Sequence, residues 1–387
     1  MHPTKSFATA GLMLASTLAV AQPAPPVGAV YTMTNAVEGN AVQVYQRRSV
    51  SQNLRPGPLV PTGGLGSGGS LGNQNGLLLD PDNRHLYAVN AGSDDISVFT
   101  ITPTGLELKT RFPSGGQRPV SVARFGGLLC VLNAGGSVGS IDNVACRRWQ
   151  PEVDDAAATA VGLESESPHY ATAVLSADDT APAQIQFTRD GRYLVATEKA
   201  TNRISTYQVG LGGEWRNGEV TLHRVGSFDS AGRTPFGFDV GNGNQIIVSE
   251  AMAGDPEAGA VSSYRVEDDG SLSWLQGTQP VFQTATCWVA VGGGGRYAYV
   301  SNTGSDNVSV LRVGFDGELD LLGRFGAVRT VGTTPLDVSI SQDGLNFYVL
   351  NAGSGSINAF TILPNGRLER LGQMRGLPNS ANGLAAR

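Results

Sequence analysis

The sequence predicts an all-β protein: a seven-bladed β-propeller of four-stranded antiparallel blades, its ring closed by strands from both chain ends in one blade. Three observations carry this expectation. Residues 335–372 (PLDVSISQDGLNFYVLNAGSGSINAFTILPNGRLERLG) spell out four short strands and three turns. Variants of that unit return about every 50 residues, a period typical of propellers and solenoids. The two chain ends each hold one strand that lacks a neighbour.

Within the unit, residues 336–340 alternate apolar and polar, and Gln342-Asp343-Gly344 turns the chain back. Residues 347–350 form an apolar run that ends at Asn351, residues 357–362 alternate again, and Pro364-Asn365-Gly366 leads into 368–371. Period-2 runs bounded by Asp-Gly and Asn-Gly are a strong local signal for antiparallel hairpins. A lone sheet of this kind cannot bury both faces, so it must stack on copies of itself.

The copies read YTMTNAVEGNAVQVY (31–45, the weakest), YAVNAGSDDISVF (87–99), CVLNAGGSVGSI (130–141), LVATEKATNRISTY (194–207), IVSEAMAGDPEAGAVSSY (247–264) and YVSNTGSDNVSVL (299–311). The residue that ends each apolar run marks its unit: Asn35, Asn90, Asn133, Glu198, Glu250, Asn302 and Asn351. Asn382-Gly383-Leu384-Ala385-Ala386 resembles Asn75-Gly76-Leu77-Leu78-Leu79, which opens the second unit, yet no unit follows it. Residues 29–33 read as a second strand without a first. Pairing the two removes both sheet edges, which an open solenoid would leave bare.

One repeat family fills residues 29–387, so a single domain is expected. Gly accounts for 52 of 387 residues, roughly double average usage, as a turn-rich chain requires. The net charge of −6 argues against nucleic acid or an anionic membrane surface as partner. Lys5, the apolar stretch 7–20 and Ala19-Val20-Ala21 read as a signal peptide over residues 1–21, followed by a Pro-rich leader over 22–28. The apolar stretch is too short to span a bilayer comfortably. The mature chain is expected to be secreted or periplasmic, monomeric and without membrane insertion. In such an oxidising compartment Cys130 and Cys146, on the two arms of one hairpin, are expected to bridge, with Cys287 free. Two buried thiols are the alternative, because register is not fixed by sequence.

Alternate turns of a meander lie on alternate faces of the disc. The tight turns at 80–84, 189–192 and 342–345 share one face. The marker loops and the connections between blades take the other, together with the starts of the inner strands. Varied loops are where function usually sits. On that face Glu198 and Glu250 replace Asn in adjacent units, and both are read as catalytic carboxylates, one of them a general base. Lys199, Arg233 and Arg118 would bind a carboxylate or a developing oxyanion, with Gln184 and Asp337 lining the channel as substrate contacts. The bland alternative is that Glu is merely tolerated at an exposed turn. The long acidic connection 147–182 reads as a lid or, more simply, a solvated excursion.

Four His residues, one of them in the signal segment, do not build a copper or haem site, and no metal is expected. Phosphate-binding and dinucleotide fingerprints are missing, so no cofactor is expected.

The units TRDGRYLVATEKATNRISTY, GGGGRYAYVSNTGSDNVSVL and SQDGLNFYVLNAGSGSINAF resemble the seven-bladed lactonase-type β-propellers. That family holds the bacterial propeller 6-phosphogluconolactonases and the fungal carboxymuconate cycloisomerases. The resemblance implies hydrolysis or isomerisation of a small lactone or carboxylated ring compound. Enzymes of the family carry a His at the start of an inner strand; the corresponding stretch here is Ala181-Pro182-Ala183-Gln184. The alternative to an enzyme is a non-catalytic propeller module that binds polysaccharide, peptide or protein. A quinone-type redox propeller has only the fold in its favour.

Overall fold

A computed structural model describes residues 27–387 apart from 52, 104, 136–140, 150–168, 212–218, 324–326 and 331. The signal-peptide reading therefore lies outside the described residues. So does most of the connection 147–182, although its end, Ala171–Val174, forms the third blade's outer strand against Asn143–Arg148.

Seven antiparallel sheets stand in a ring, as the repeats require. The second strands (His85–Asn90, Leu128–Asn133, Tyr193–Glu198, Gln245–Glu250, Asn346–Asn351) are buried along their whole length. Each is sandwiched between neighbouring blades on both faces, which explains their nearly continuous apolar runs. Outer strands such as Arg55–Pro61 and Val220–Asp229 are largely exposed. The sixth blade departs from the expected pattern: two short pieces, Leu319–Leu321 and Ala327–Arg329, both pair with Asn307–Val313 in place of one outer strand.

Closure is as the chain ends imply. Asn382–Ala386 is the innermost strand of the first blade, paired antiparallel with Gly28–Met33. In the third blade Cys130 and Cys146 stand directly opposite each other and form a disulfide, while Cys287 is free and buried.

One feature of the channel mouth was not legible as a pattern. The residue before five of the inner strands adopts a left-handed conformation: Arg118, Ala181, Thr234, Ala285 and Thr334 have φ between +47° and +59°. In all five blades a register shift follows within the first residues of the inner strand. Left-handed backbone is costly for residues such as Thr. Bulges of this kind redirect strand starts, here around the mouth on the marker-loop face.

Candidate functional site

The channel is not open from face to face. The glycine-rich connection between the first and second blades crosses it as a strap. Gly66 lies so close to Asn35 that a Cβ would stand 2.1 Å from its carbonyl carbon, and a Cβ on Gly64 would stand 2.4 Å from the Asn90 amide. Only glycine passes over these two marker residues. Asn35 holds the strap by accepting from Ser67 N (2.9 Å) and donating to Gly69 O (2.7 Å). Gln74 plugs the bore. Its backbone N–H donates to Ala183 O (3.0 Å). Its amide donates to Val289 O (2.7 Å) and accepts from Val289 N (3.0 Å). Trp288 Nε1 donates to Asn73 O (2.6 Å), and Asn73 Nδ2 donates to Val120 O. The strap thus ties together the third to sixth blades and leaves two separate mouths. Its composition reads as an ordinary loop, and the Asn73-Gln74-Asn75 triplet was the one signal that polar groups would be buried there.

At the marker-loop mouth the strap is latched by Lys199, whose ammonium donates to Gly72 O and reaches Pro182 O at 3.5 Å. Nζ also lies 4.8 Å from the centre of the Phe236 ring, which packs on Trp288 with ring centres 4.7 Å apart. Among the described residues no carboxylate forms an ion pair with Lys199. Burial pushes its pKa down to about 8; Arg118 adds to that shift, and Cys287 and Asp142 oppose it. The buried Cys287 thiol is itself pushed up to about 12 by desolvation. The backbone N–H of the half-buried Arg118 donates to Asp94 Oδ1 (2.6 Å), and the Arg118 guanidinium has no partner among the described residues.

Glu198 and Glu250 are drawn into the blades by hydrogen bonds to neighbouring strands and loops. Both are fully buried. Glu198 accepts from Ser205 Oγ (2.5 Å), Thr201 Oγ1 (3.0 Å), Ser176 N (3.3 Å) and Ser176 Oγ. Glu250 accepts from Ser262 Oγ (2.5 Å) and Gly232 N (2.7 Å). Asn in other blades makes the equivalent tie. Asn90 donates to Ser97 Oγ (2.7 Å), Asn302 to Ser309 Oγ (2.9 Å) and Asn351 to Asn358 Oδ1 (2.9 Å). The marker therefore joins the end of the second strand to the third strand, and in these two blades a carboxylate accepts where an amide elsewhere donates. Burial raises the pKa of Glu250, against the Ser262 and Gly232 hydrogen bonds. The two glutamates share no partner.

The other sequence-expected residues scatter. Arg233 is exposed and ion-paired with Asp255. Gln184 is buried and clamps the fourth blade to the fifth, accepting from Phe238 N (2.7 Å) and donating to Phe238 O (2.8 Å). Asp337 is buried with one backbone donor, Gly383 N at 3.0 Å, and desolvation raises its pKa to about 7. The folded protein thus keeps this proton up to about pH 7, whereas the unfolded chain releases it near the ordinary aspartate value of 3.8. In that window the folded state binds more protons, so Asp337 makes stability fall as pH rises. Asp337→Asn should flatten the denaturation midpoint between those pH values and be no less stable than wild type at pH 8; an unchanged slope would contradict the assignment.

The opposite mouth, among the tight turns, holds two contiguous cavities of about 320 and 430 Å3 that share Asn75, Leu78, Leu79, Pro81, Gln186 and Asp239. At its rim Asp80, Asp82 and His85 place ligand-type atoms within 4.8 Å of one another. Arg124 Nε, 3.2 Å from Asp80 Oδ1, already supplies the countercharge there. No helix among the described residues is long and apolar enough to cross a membrane.

Residues 283–381 match the model of the family described as "Lactonase, 7-bladed beta-propeller". No curated protein matches the sequence. Among solved structures, a putative 6-phosphogluconolactonase from Bacteroides fragilis superposes with a TM-score of 0.68 at 17% identity, covering 95% of this chain and 100% of that one. The periplasmic gluconolactonase of Pseudomonas aeruginosa gives 0.67 at 18% identity, covering 93% and 99%. A putative 6-phosphogluconolactonase from Bacteroides uniformis gives 0.64 at 18%, covering 92% and 99%. At such identities the superpositions speak for the fold. The chain is a seven-bladed β-propeller that resembles the lactonase family in sequence over residues 283–381, and its fold is that of these solved propellers over nearly its whole length.

Proposed function

We propose that the protein is an exported lactonase that opens a small lactone bearing a carboxylate, at the marker-loop mouth, with Lys199 as general base and Arg118 as anion-binding group. The observation that carries this reading is Lys199 itself: a desolvated amine at the mouth, held by two backbone carbonyls, its pKa lowered to about 8 by burial and by the charge of Arg118. A residue in a cleft whose pKa is shifted by desolvation and a specific charged neighbour is a candidate functional group. Two carbonyls take two of its hydrogens, so the neutral amine keeps a lone pair for a water molecule. That water adds to the lactone carbonyl while Nζ takes its proton. Arg118 balances the oxyanion. Collapse breaks the ring C–O bond, and the departing alkoxide recovers the proton from Nζ, leaving a hydroxy acid. In this reading Glu198 and Glu250 keep the blade ends in place, and Gln184, Asp337 and Arg233 shape the surrounding wall.

The Cys130–Cys146 bridge supports an oxidising compartment, and with it export. The second reading is a non-catalytic module that holds a carboxylated ligand with the same Lys199–Arg118 pair. It draws support from the commitment of both glutamates to internal hydrogen bonds. A panel of five- and six-membered lactones, with and without a carboxylate, separates the two. Wild type should turn over at least one of them, and Lys199→Met should lower kcat/KM by about 100-fold or more, the usual worth of a general base. Saturable binding without turnover would favour the module.

A further inference from the structure

We propose that the tight-turn mouth is a second binding site, independent of Lys199, that takes a small aromatic or cyclic monocarboxylate. The Gln74 plug separates it from the marker-loop mouth and lines the larger cavity. Its dimensions, about 320 and 430 Å3 for the two joined cavities, are those of small-ligand sites.

The wall offers a flat apolar platform. Phe125 is 40% exposed, yet its ring is fixed. Phe187 packs against it with ring centres 5.9 Å apart. On another side lies Gly191, where any Cβ would stand 2.0 Å from the ring. An exposed aromatic side chain held this firmly presents its area at little entropic cost. Leu78, Leu79 and Val122 extend the apolar surface.

Two guanidinium groups line the same cavity. Arg189 spends Nε and Nη2 on Gly241 O (3.1 and 2.8 Å), and its Nη1 has no partner among the described residues. Arg124 spends Nε on Tyr87 OH and Asp80, and Nη1 on Gly126 O (2.7 Å); its Nη2 has no partner among the described residues. Two carboxylates line the walls of the joined cavities, and both are already engaged: Asp80 by Arg124 (3.2 Å) and Tyr87 OH (3.1 Å), and Asp239 by three donors. Asp239 accepts from Gln186 Nε2 (2.9 Å), Val240 N (2.8 Å) and Val291 N (2.8 Å). The free guanidinium nitrogens at this mouth, Arg189 Nη1 and Arg124 Nη2, are therefore donors still open to an anionic ligand. Guanidinium groups next to a phenyl ring suit a planar acid, whose carboxylate takes the Arg N–H groups while its ring lies on Phe125.

Benzoate serves as the probe, titrated by calorimetry and by ligand-observed NMR into the full chain. Saturable binding should persist in Lys199→Met, weaken at least fivefold in Arg189→Gln and in Phe125→Ala, and fall at least fivefold when benzamide replaces benzoate. Lactone turnover, where wild type shows it, should be unchanged in Arg189→Gln. The site is refuted by the absence of saturable binding. It is equally refuted if Lys199→Met abolishes binding while Arg189→Gln leaves it intact, or if benzamide binds as well as benzoate. Failure of the lactonase reading would appear as absent turnover and leaves these binding outcomes unaffected.

Discussion

Removing residues 380–387 should open the ring and cost most of the protein's stability. Asn382–Ala386 is the innermost strand of the first blade. Its loss strips Gly28–Met33 of its partner and exposes Tyr31 and Met33, which are buried in the intact ring. Ala381, Leu384, Ala385 and Ala386 no longer fill the bore, the Arg387 N–Ala29 O bond (2.9 Å) is gone, and Asp337 loses Gly383 N. At about 1 kcal/mol for each backbone hydrogen bond and 2 kcal/mol for a buried leucine, the deletion should cost on the order of 5 kcal/mol or more. That is a large share of the roughly 5–15 kcal/mol that holds a domain folded. Thermal and urea unfolding of the truncated chain measure it; a melting curve matching the full chain would show that the ring does not depend on this closure.

Glu198→Ala should be the most damaging single substitution at a marker position. It removes the acceptor for Ser205, Thr201 and both the hydroxyl and the backbone N–H of Ser176, all in or beside a fully buried site. Stranding several buried donors should cost about 3 kcal/mol or more in urea unfolding. Glu198→Gln keeps one acceptor oxygen and imitates the Asn of the other blades, so it should cost less than half as much. It should also retain lactone turnover within about threefold. A Gln variant that folds like wild type but loses turnover by two orders of magnitude would return the base to Glu198.

Strand number, blade order and ring closure followed from the repeat, because period-2 runs and turn residues are local signals that seven copies reinforce. The Cys130–Cys146 register did not follow, since a slip of one residue reverses every side chain; the structure pairs them directly. The marker substitutions were visible, but their direction was not. Glu in place of Asn looks like an exposed turn residue or a catalytic base, and only burial beside Ser205 and Ser262 shows a cap. The strap was missed because glycine-rich sequence carries no periodicity, and its path over Asn35 and Asn90 is a matter of close approach. In the sequence, the charge of Lys199 points only to anion binding. Its depressed pKa depends on desolvation by the strap and Phe236, which come from distant parts of the chain.

The most direct test of the Lys199 assignment is the pH dependence of kcat/KM for a lactone that the wild type hydrolyses, because this ratio reports the base of the free enzyme. With Lys199 as that base the profile rises with pH through a midpoint near its pKa of about 8. A rise centred between about pH 4 and 6, the carboxylate range, or a profile flat across pH 6–9, would contradict it.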